Sequence, residues 1–268
     1  MKTIDFEYDG TLASDYNFMV CTFDDGGTDT TEYGSNIDFD TVSIQNGKSF
    51  SLVNAGYSEA ANFTFQICKN PNVFHGDDMY FTTDEQRLVY RWLNRNDGFH
   101  QLKMFTEDFG TLVFNGSFNI NAVVLNGFVI GFELTFQMGN PYATQECYRV
   151  RKVLSSNSKF TLIDNSDDIG YIYPKLKILC KSDGDLVIKN SIENRSTIIK
   201  NCKSGEVITA DENLNISSSL PSHKLYNDFN FVFFRIANTY QEQRNIVSVN
   251  LACEITIEYY PVVKGVGL

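Results

Sequence analysis

The sequence predicts a mainly β protein made of two β-sandwich domains, the first with one α-helix beside it. Three observations lead to this fold class. Apolar and polar residues alternate with the two-residue period of half-buried strands in most segments. Clusters of Gly, Asn and Asp separate these segments at short intervals. A single stretch, residues 82–98, carries the capping signals and the 3.6-residue period of a helix.

The strands of the first half show the alternation most clearly. In "IDFEY" every second residue from Ile4 is apolar, and in "ANFTFQIC" the same holds from Phe63 to Ile67. The segments "SFNINAVVL" and "FVIGFELTF" repeat the pattern, so we expect strands with one face toward a core. The longest apolar stretch, Asn121 to Phe136, is too short and too often interrupted by polar residues to cross a membrane.

The segment "TTDEQRLVYRWLNRNDG" predicts one well-defined helix. Thr82 and Glu85 have the spacing of a capping box, and Gly98 is a suitable residue just after the helix end. We expect one face to close the core of the first domain through four apolar residues: Leu88, Val89, Trp92 and Leu93.

Another face of this helix carries a basic row, defined as Arg87, Arg91 and Arg95. Like charges one helical turn apart repel at a cost of about 0.2–0.5 kcal/mol per pair. We therefore expect the basic row to form ion pairs with carboxylates of the same domain or of a neighbouring copy. The alternative is a row that only contacts solvent.

The chain divides near residue 140, where "GNPYATQE" interrupts the strand pattern. Up to Asn140 there are 7 Lys and Arg against 19 Asp and Glu, whereas from Pro141 the numbers are 15 and 14. We therefore predict domains at residues 1–140 and 141–268, and leave open whether the last strand packs back on the first domain. The net charge of −11 disfavours a nucleic-acid-binding protein, because acidic surfaces repel phosphates.

The second half contains many short strand-like segments separated by turn residues, which indicates an antiparallel sandwich. These segments are "KFTLID", "YPKLKILC", "DLVIKN", "STIIKNC", "EVITAD", "NFVFFRI", "NIVSVNL" and "CEITIEYY".

Catalytic and metal-binding motifs do not occur in the sequence. No nucleophile elbow, zinc-protease helix or phosphate-binding glycine loop is present, so we expect no enzyme activity and no cofactor. A glycosidase stays open as an alternative, because it needs only two carboxylates and the chain has 33 Asp and Glu, although no cluster singles out a pair. The three histidines, His75, His100 and His223, lie in or beside polar loops. The acidic loop at residues 24–36 lacks the spacing of a calcium site, and the six cysteines form no CxxC pair, which indicates buried, reduced thiols and no metal.

Carbohydrate binding is the alternative function, because β-sandwiches host many lectins. Sugar-binding proteins often stack a sugar on an exposed aromatic ring, but Trp92 lies on the apolar face of the helix. The tyrosines of the second half are the remaining candidates: Tyr171, Tyr173, Tyr226 and Tyr240.

Three blocks of the chain resemble the distal tail proteins of siphophages. The first is "FEYDGTLASDYNFMVC", the second is "DEQRLVYRWLNRNDGFHQL" with its "RWL", and the third is "GFVIGFELTFQMGNPYA", which ends in a linker. In the second half "DLVIKN", "NCKSGEVITAD", "YNDFNFVFFRI" and "CEITIEYYPVVK" resemble the second domain of that family. The order and spacing of these blocks, rather than any single motif, carry the resemblance.

The resemblance implies a structural protein of the virion, assembled in the host cytoplasm as a ring, usually a hexamer, at the far end of the tail. The ring would join the tail tube protein to the tail-tip protein and leave a channel through which DNA passes without specific binding. The first domain would be tail-tube-like and the second galectin-like. An acidic first domain fits a DNA channel, because negative charge keeps phosphates from adhering.

Overall fold

A computed structural model describes residues 2–23, 36–43, 49–57, 62–239 and 241–264. The chain forms two compact units, one made of residues Met1–Thr144 and the segment from Val263, the other of Gln145–Val262. The expected mainly β fold is confirmed. Two features named in the sequence analysis fall outside the described residues: Tyr240 and the acidic loop at residues 24–36, of which only Asn36 is described.

Among its described residues the first unit contains ten strands and one helix of eleven residues, α1 (Thr83–Leu93). The strands are β1 (Thr3–Tyr8), β2 (Thr11–Leu12), β3 (Phe18–Cys21), β4 (Ile37–Ser43), β5 (Phe50–Tyr57), β6 (Asn62–Lys69), β7 (His100–Thr106), β8 (Gly110–Leu125), β9 (Phe128–Met138) and β10 (Ala143–Gln145). The main sheet has the order β2-β1-β7-β8-β9-β6-β3, and β10 pairs with β8. Strands β4 and β5 form a separate hairpin.

The main sheet curls around an aromatic core. Strand β1, next to the edge strand β2, lies beside β3 at the opposite edge, which brings both ends of the sheet around the same core. Every neighbouring pair from β2 to β3 in this order is antiparallel. Strands β8 and β9 meet at Asn126 and Gly127, which both have positive φ angles, as a two-residue hairpin turn requires. The side chain of Val263, near the end of the chain, also lies in this core.

Helix α1 begins where the sequence indicates but ends earlier than predicted, at Leu93 with Asn94 as its C-cap, so Arg95 and Gly98 lie beyond its end. The Thr82 hydroxyl accepts a hydrogen bond from the Glu85 amide at 3.3 Å, and the Glu85 carboxylate accepts one from the Thr82 amide at 2.7 Å. This reciprocal pair satisfies two amides that the first turn leaves without helical partners. Asp84 and Glu85 also place negative charge at the positive end of the helix dipole.

The second unit is a sandwich of two antiparallel sheets, with a separate two-stranded pair. Its strands are β11 (Tyr148–Leu154), β12 (Ser158–Ile163), β13 (Gly170–Ile172), β14 (Lys175–Cys180), β15 (Gly184–Asn190), β16 (Ser196–Cys202), β17 (Val207–Ala210), β18 (Ile216–Ser218), β19 (Ile236–Asn238), β20 (Arg244–Val249), β21 (Cys253–Tyr259) and β22 (Val262–Val263), whose last residue belongs to the first unit. One sheet has the order β11-β21-β14-β17-β18, and the other β12-β20-β15-β16, while β13 and β19 form the separate pair. Residues of both sheets share one hydrophobic core.

One predicted strand of the second half is wrong. Most of "NFVFFRI" is irregular, and the strand in this region, β19, begins only at Ile236. A short helix, α2 (Leu225–Asp228), precedes the irregular segment, and Phe231 adopts a left-handed φ of 57°, far from the negative φ of regular strands. Phe229 and Phe234 still lie in the core, so the apolar residues of the segment fill space without extended pairing.

Candidate assembly surfaces

Helix α1 closes the core of the first unit. Val89, Trp92 and Leu93 are buried, and Leu88 is partly buried against the same core. The Trp92 ring stacks on Phe6 with centroids 5.6 Å apart and an angle of 9° between the planes.

The indole of Trp92 also makes a polar contact. Its Nε1 donates a hydrogen bond of 3.1 Å to the Tyr8 carbonyl of β1. The side chain therefore joins the helix to the sheet through both packing and a buried hydrogen bond.

Lys69 is a buried cation that the sequence motifs do not single out. Its Nζ donates to the carbonyls of Asp78 and Tyr80, both at 3.0 Å, and lies 2.6 Å from a Glu85 carboxylate oxygen. One cation thus ties strand β6 to the segment before α1 and to its first turn. The alternation of β6 gives the missing signal, because the pattern that places Phe65 and Ile67 inward also places Lys69 inward.

The basic row has two different environments. Arg95 forms ion pairs with Asp9 at 2.6 Å and Asp97 at 2.5 Å, while His100 contacts the same Asp97 carboxylate at 2.9 Å. Arg95 and then His100 hold the pKa of Asp97 far below its usual range.

The other two arginines of the row are exposed. The Arg91 Nε donates to the Arg87 carbonyl at 3.4 Å. Within the described part of the chain neither Arg87 nor Arg91 forms an ion pair. These two side chains therefore remain available to carboxylates outside the unit.

The hairpin of β4 and β5 has one apolar face that the described chain does not cover. The pairing of Ile37 with Tyr57 and of Ser43 with Phe50 fixes which residues share a face. One face carries five large apolar side chains, here called the hairpin face: Ile37, Phe39, Phe50, Leu52 and Tyr57. Their exposed fractions lie between 37% and 75%.

The opposite face of the hairpin is polar. It carries Asp38, Asp40, Ser51 and Asn54 together with Val42, and the exposed Val53 lies at the register shift between the two faces. Tyr57 holds the base of the hairpin through an edge-to-face contact with Tyr142, with centroids 6.3 Å apart. The hairpin is therefore amphipathic, and both of its faces are exposed in the described structure.

His223 of the second unit lies in a buried ionic contact instead of at a reactive site. Its Nδ1 is 2.5 Å from Oε1 of Glu206, which also accepts from the Ser218 hydroxyl. Burial opposes charge on both groups, but their mutual contact outweighs it, raising the pKa of His223 and, together with Ser218, lowering that of Glu206. The carboxylate of Asp228 is 3.4 Å from the other ring nitrogen.

The remaining predicted reactive residues are not gathered into a site. The described residues contain no group of three or more His, Cys, Asp or Glu arranged to hold a metal. All six cysteines are free thiols, but Cys147 is exposed, so the expectation that all are buried is wrong there. His75 lies at the start of a 3-10 turn, Gly76–Met79. No helix in the described ranges has the length and apolarity needed to cross a bilayer.

Two family models match the chain in succession. One, described as a phage tail protein N-terminal domain, matches residues 1–140, and the other, described as a phage tail C-terminal domain, matches residues 141–259. The chain belongs to this family of phage tail proteins. No curated protein sequence matches this chain.

The fold of the phage tail protein is similar to that of SPP1 Dit (gp 19.1). The crystal structure of that protein is described as a paradigm of the hub adsorption apparatus in phages that infect Gram-positive bacteria. The likeness has a TM-score of 0.66 and covers 97% of this chain and 99% of the other, at 10% sequence identity. The resemblance to distal tail proteins is thus confirmed in the fold and in the phage tail family.

Proposed function

We propose that six copies of this phage tail protein form a ring at the distal end of the tail. The ring joins the tail tube protein to the tail-tip protein and surrounds a channel for DNA. The fold likeness to a hub protein over 97% of the chain supports this role. The single observation that carries it is the uncovered hairpin face.

The size of the hairpin face argues for a contact with another protein surface. A buried aromatic side chain covers about 150–250 Å², so five side chains exposed by about half present on the order of 500 Å² of apolar surface. A typical monomer has a largest exposed apolar patch of about 300–600 Å², and such a patch is often functional. Covering it with an equal area of a partner buries about 1,000 Å², the lower range of specific interfaces.

The occupant we propose is a second copy of the chain. A ring requires a head-to-tail contact, in which one surface of each copy meets a different surface of the next. An amphipathic hairpin that extends its apolar face from the main sheet suits this role, because it can reach a neighbour while its polar side stays in water. The hexameric number rests on the resemblance to distal tail proteins.

The charge distribution supports a channel for DNA in the first domain. The excess of carboxylates up to Asn140 repels phosphates, which lets DNA pass without specific binding. We assign the ring to this tail-tube-like domain, residues 1–140, and an outward, galectin-like scaffold role to residues 141–268. The function is structural, with neither catalysis nor a cofactor.

Charge placed on the hairpin face tests the proposal. Phe39→Asp together with Leu52→Asp should convert the oligomer into monomers, because two carboxylates would be buried at the contact. The matched control is Ser51→Asp with Asn54→Asp, which adds the same charge to the polar face of the same hairpin and should assemble normally. Light scattering after size exclusion gives the masses.

Two results would contradict this assignment. If the charged hairpin face leaves the oligomer mass unchanged, copies do not meet there. If both double variants dissociate equally, the net charge of the hairpin matters and its apolar face does not.

A further inference from the structure

Two aromatic side chains of the second unit are held outward on a rigid support. Tyr226 of α2 is 83% exposed and Phe231 is 60% exposed. Their rings meet edge to face with centroids 5.8 Å apart. We call these two residues the aromatic pair.

The backbone at Phe231 is strained in order to hold this position. Its φ of 57° lies in the left-handed region, which bulky residues rarely adopt and which glycine or asparagine tolerates. Strain of this kind costs about 1–3 kcal/mol and concentrates at functional sites. Folding alone does not explain a phenylalanine here, because most of its side chain is left in water.

The support under the aromatic pair is well ordered by hydrogen bonds. The carboxamide of Asn230 accepts from the amide of Ile198 at 3.0 Å and from that of Val232 at 3.3 Å, and donates to the Ser196 carbonyl at 2.8 Å. The preceding Phe229 is buried and contacts the Phe231 ring at 5.5 Å. The segment thus fixes Phe231 before any ligand arrives, which lowers the entropy cost of binding, and the Tyr226 ring rests against it.

The size and surroundings of the aromatic pair fit a sugar ring better than a protein. Two rings at these exposures present roughly 250 Å² of apolar surface, well below the 800 Å² or so that each partner buries in a specific protein interface. Their chain neighbours are polar: Asn227 and Asp228 follow Tyr226, and the Asn201 amide donates to Asp228 at 2.8 Å. A pyranose has the matching form, with an apolar face of C–H groups and a rim of hydroxyls.

We propose that the aromatic pair is a binding site for the hexopyranose units of a glycan. A pyranose stacks on the Tyr226 ring, Phe231 borders it, and the side chains of Asn227 and Asp228 bond its hydroxyls. This site goes beyond the ring-forming role and does not depend on it, because all its residues belong to the second unit.

The test titrates the full chain with three neutral probes: cellohexaose, maltohexaose and the hexamer of N-acetylglucosamine. Saturation-transfer NMR and calorimetry should show one of them binding with a Kd of about 1 mM. Tyr226→Ala should weaken that binding at least about tenfold, as the loss of one aromatic ring does where a nucleic-acid base stacks on it. The control is Tyr260→Ala, which removes another exposed tyrosine of the same unit and should bind normally.

A second variant separates function from stability. Phe231→Asn removes the ring and places a residue that tolerates left-handed φ, so it should lose binding while its Tm stays equal or rises. A Tm several degrees lower would make Phe231 a structural residue and overturn the argument from strain.

Three other results would also overturn the site. The first is that none of the probes binds at 20-fold the expected Kd. The second is that Tyr226→Ala binds like the wild type. The third is that Tyr226→Ala lowers the oligomer mass, since the rings would then be a contact between copies of the chain.

Discussion

Removing the indole of Trp92 should be among the most damaging single changes in the first unit. Trp92 is 9% exposed, stacks on Phe6 and donates to the Tyr8 carbonyl. Burial of about 150–250 Å² at about 25 cal/mol per Å² amounts to roughly 4–6 kcal/mol. Measured truncations of Phe and Trp to Ala cost about 3–5 kcal/mol, so we expect Trp92→Ala to lose about 4 kcal/mol of unfolding free energy.

Differential scanning calorimetry measures this loss. For a unit of this size, about 4 kcal/mol corresponds to a Tm lower by roughly 8–16 °C. Trp92→Phe keeps a ring over Phe6 and loses the hydrogen bond, so it should cost only about 1–2 kcal/mol. Tyr90→Ala, on the exposed side of the same helix, should show a much smaller drop. If Trp92→Ala melts within about 2 °C of the wild type, α1 does not close this core and the reasoning is refuted.

Three further predictions concern charges. Lys69→Ala should lower the unfolding free energy by about 3 kcal/mol, because it leaves a partly buried carboxylate and two carbonyls without their cation. The fluorescence of the only tryptophan reports denaturant unfolding, and an unchanged unfolding midpoint would contradict this prediction. The second unit should be most stable between about pH 4.3 and 6.5, since the contribution of Glu206 is lost as pH falls through its lowered pKa, and that of His223 as pH rises through its raised pKa. Thermal melts of His223→Gln should give a flatter pH profile, and a profile parallel to the wild type would show that the pair does not titrate. Replacing both Arg87 and Arg91 by Glu should leave the monomer Tm nearly unchanged but reduce the oligomer mass if the basic row meets carboxylates of a neighbouring copy. If this double variant has the same oligomer mass as the wild type at both low and high salt, the basic row only contacts solvent.

The helix could be predicted from the sequence because its signals are local. The capping box at Thr82 and Glu85 and the apolar face through Trp92 lie within one short segment, and the structure places the helix there. Lys69 could also have been found, since strand alternation determines the side on which it lies.

Other features depend on contacts between distant residues. His223 and Glu206 lie in different turns, and no local pattern pairs them. The strand predicted around Phe231 does not form, and this residue has a left-handed φ instead. Apolar composition indicates burial but does not determine backbone conformation.

The hairpin of β4 and β5 shows a different limit of the sequence. The alternation around Ile37 and Phe39 is readable as a half-buried strand. The pattern does not say whether the apolar side meets the core of its own chain or another surface, because both have the same composition. The structure separates the two cases, since the main sheet does not include β4 and β5.

Negative-stain imaging of the wild-type protein, together with its mass in solution, tests the central claim most directly. The account predicts particles with sixfold symmetry and a central opening, and a mass six times the 30.4 kDa of the chain. It also predicts that these particles disappear when the hairpin face carries Phe39→Asp and Leu52→Asp. A protein that stays at the mass of one chain at every concentration, or forms particles without an opening, would contradict the proposed ring.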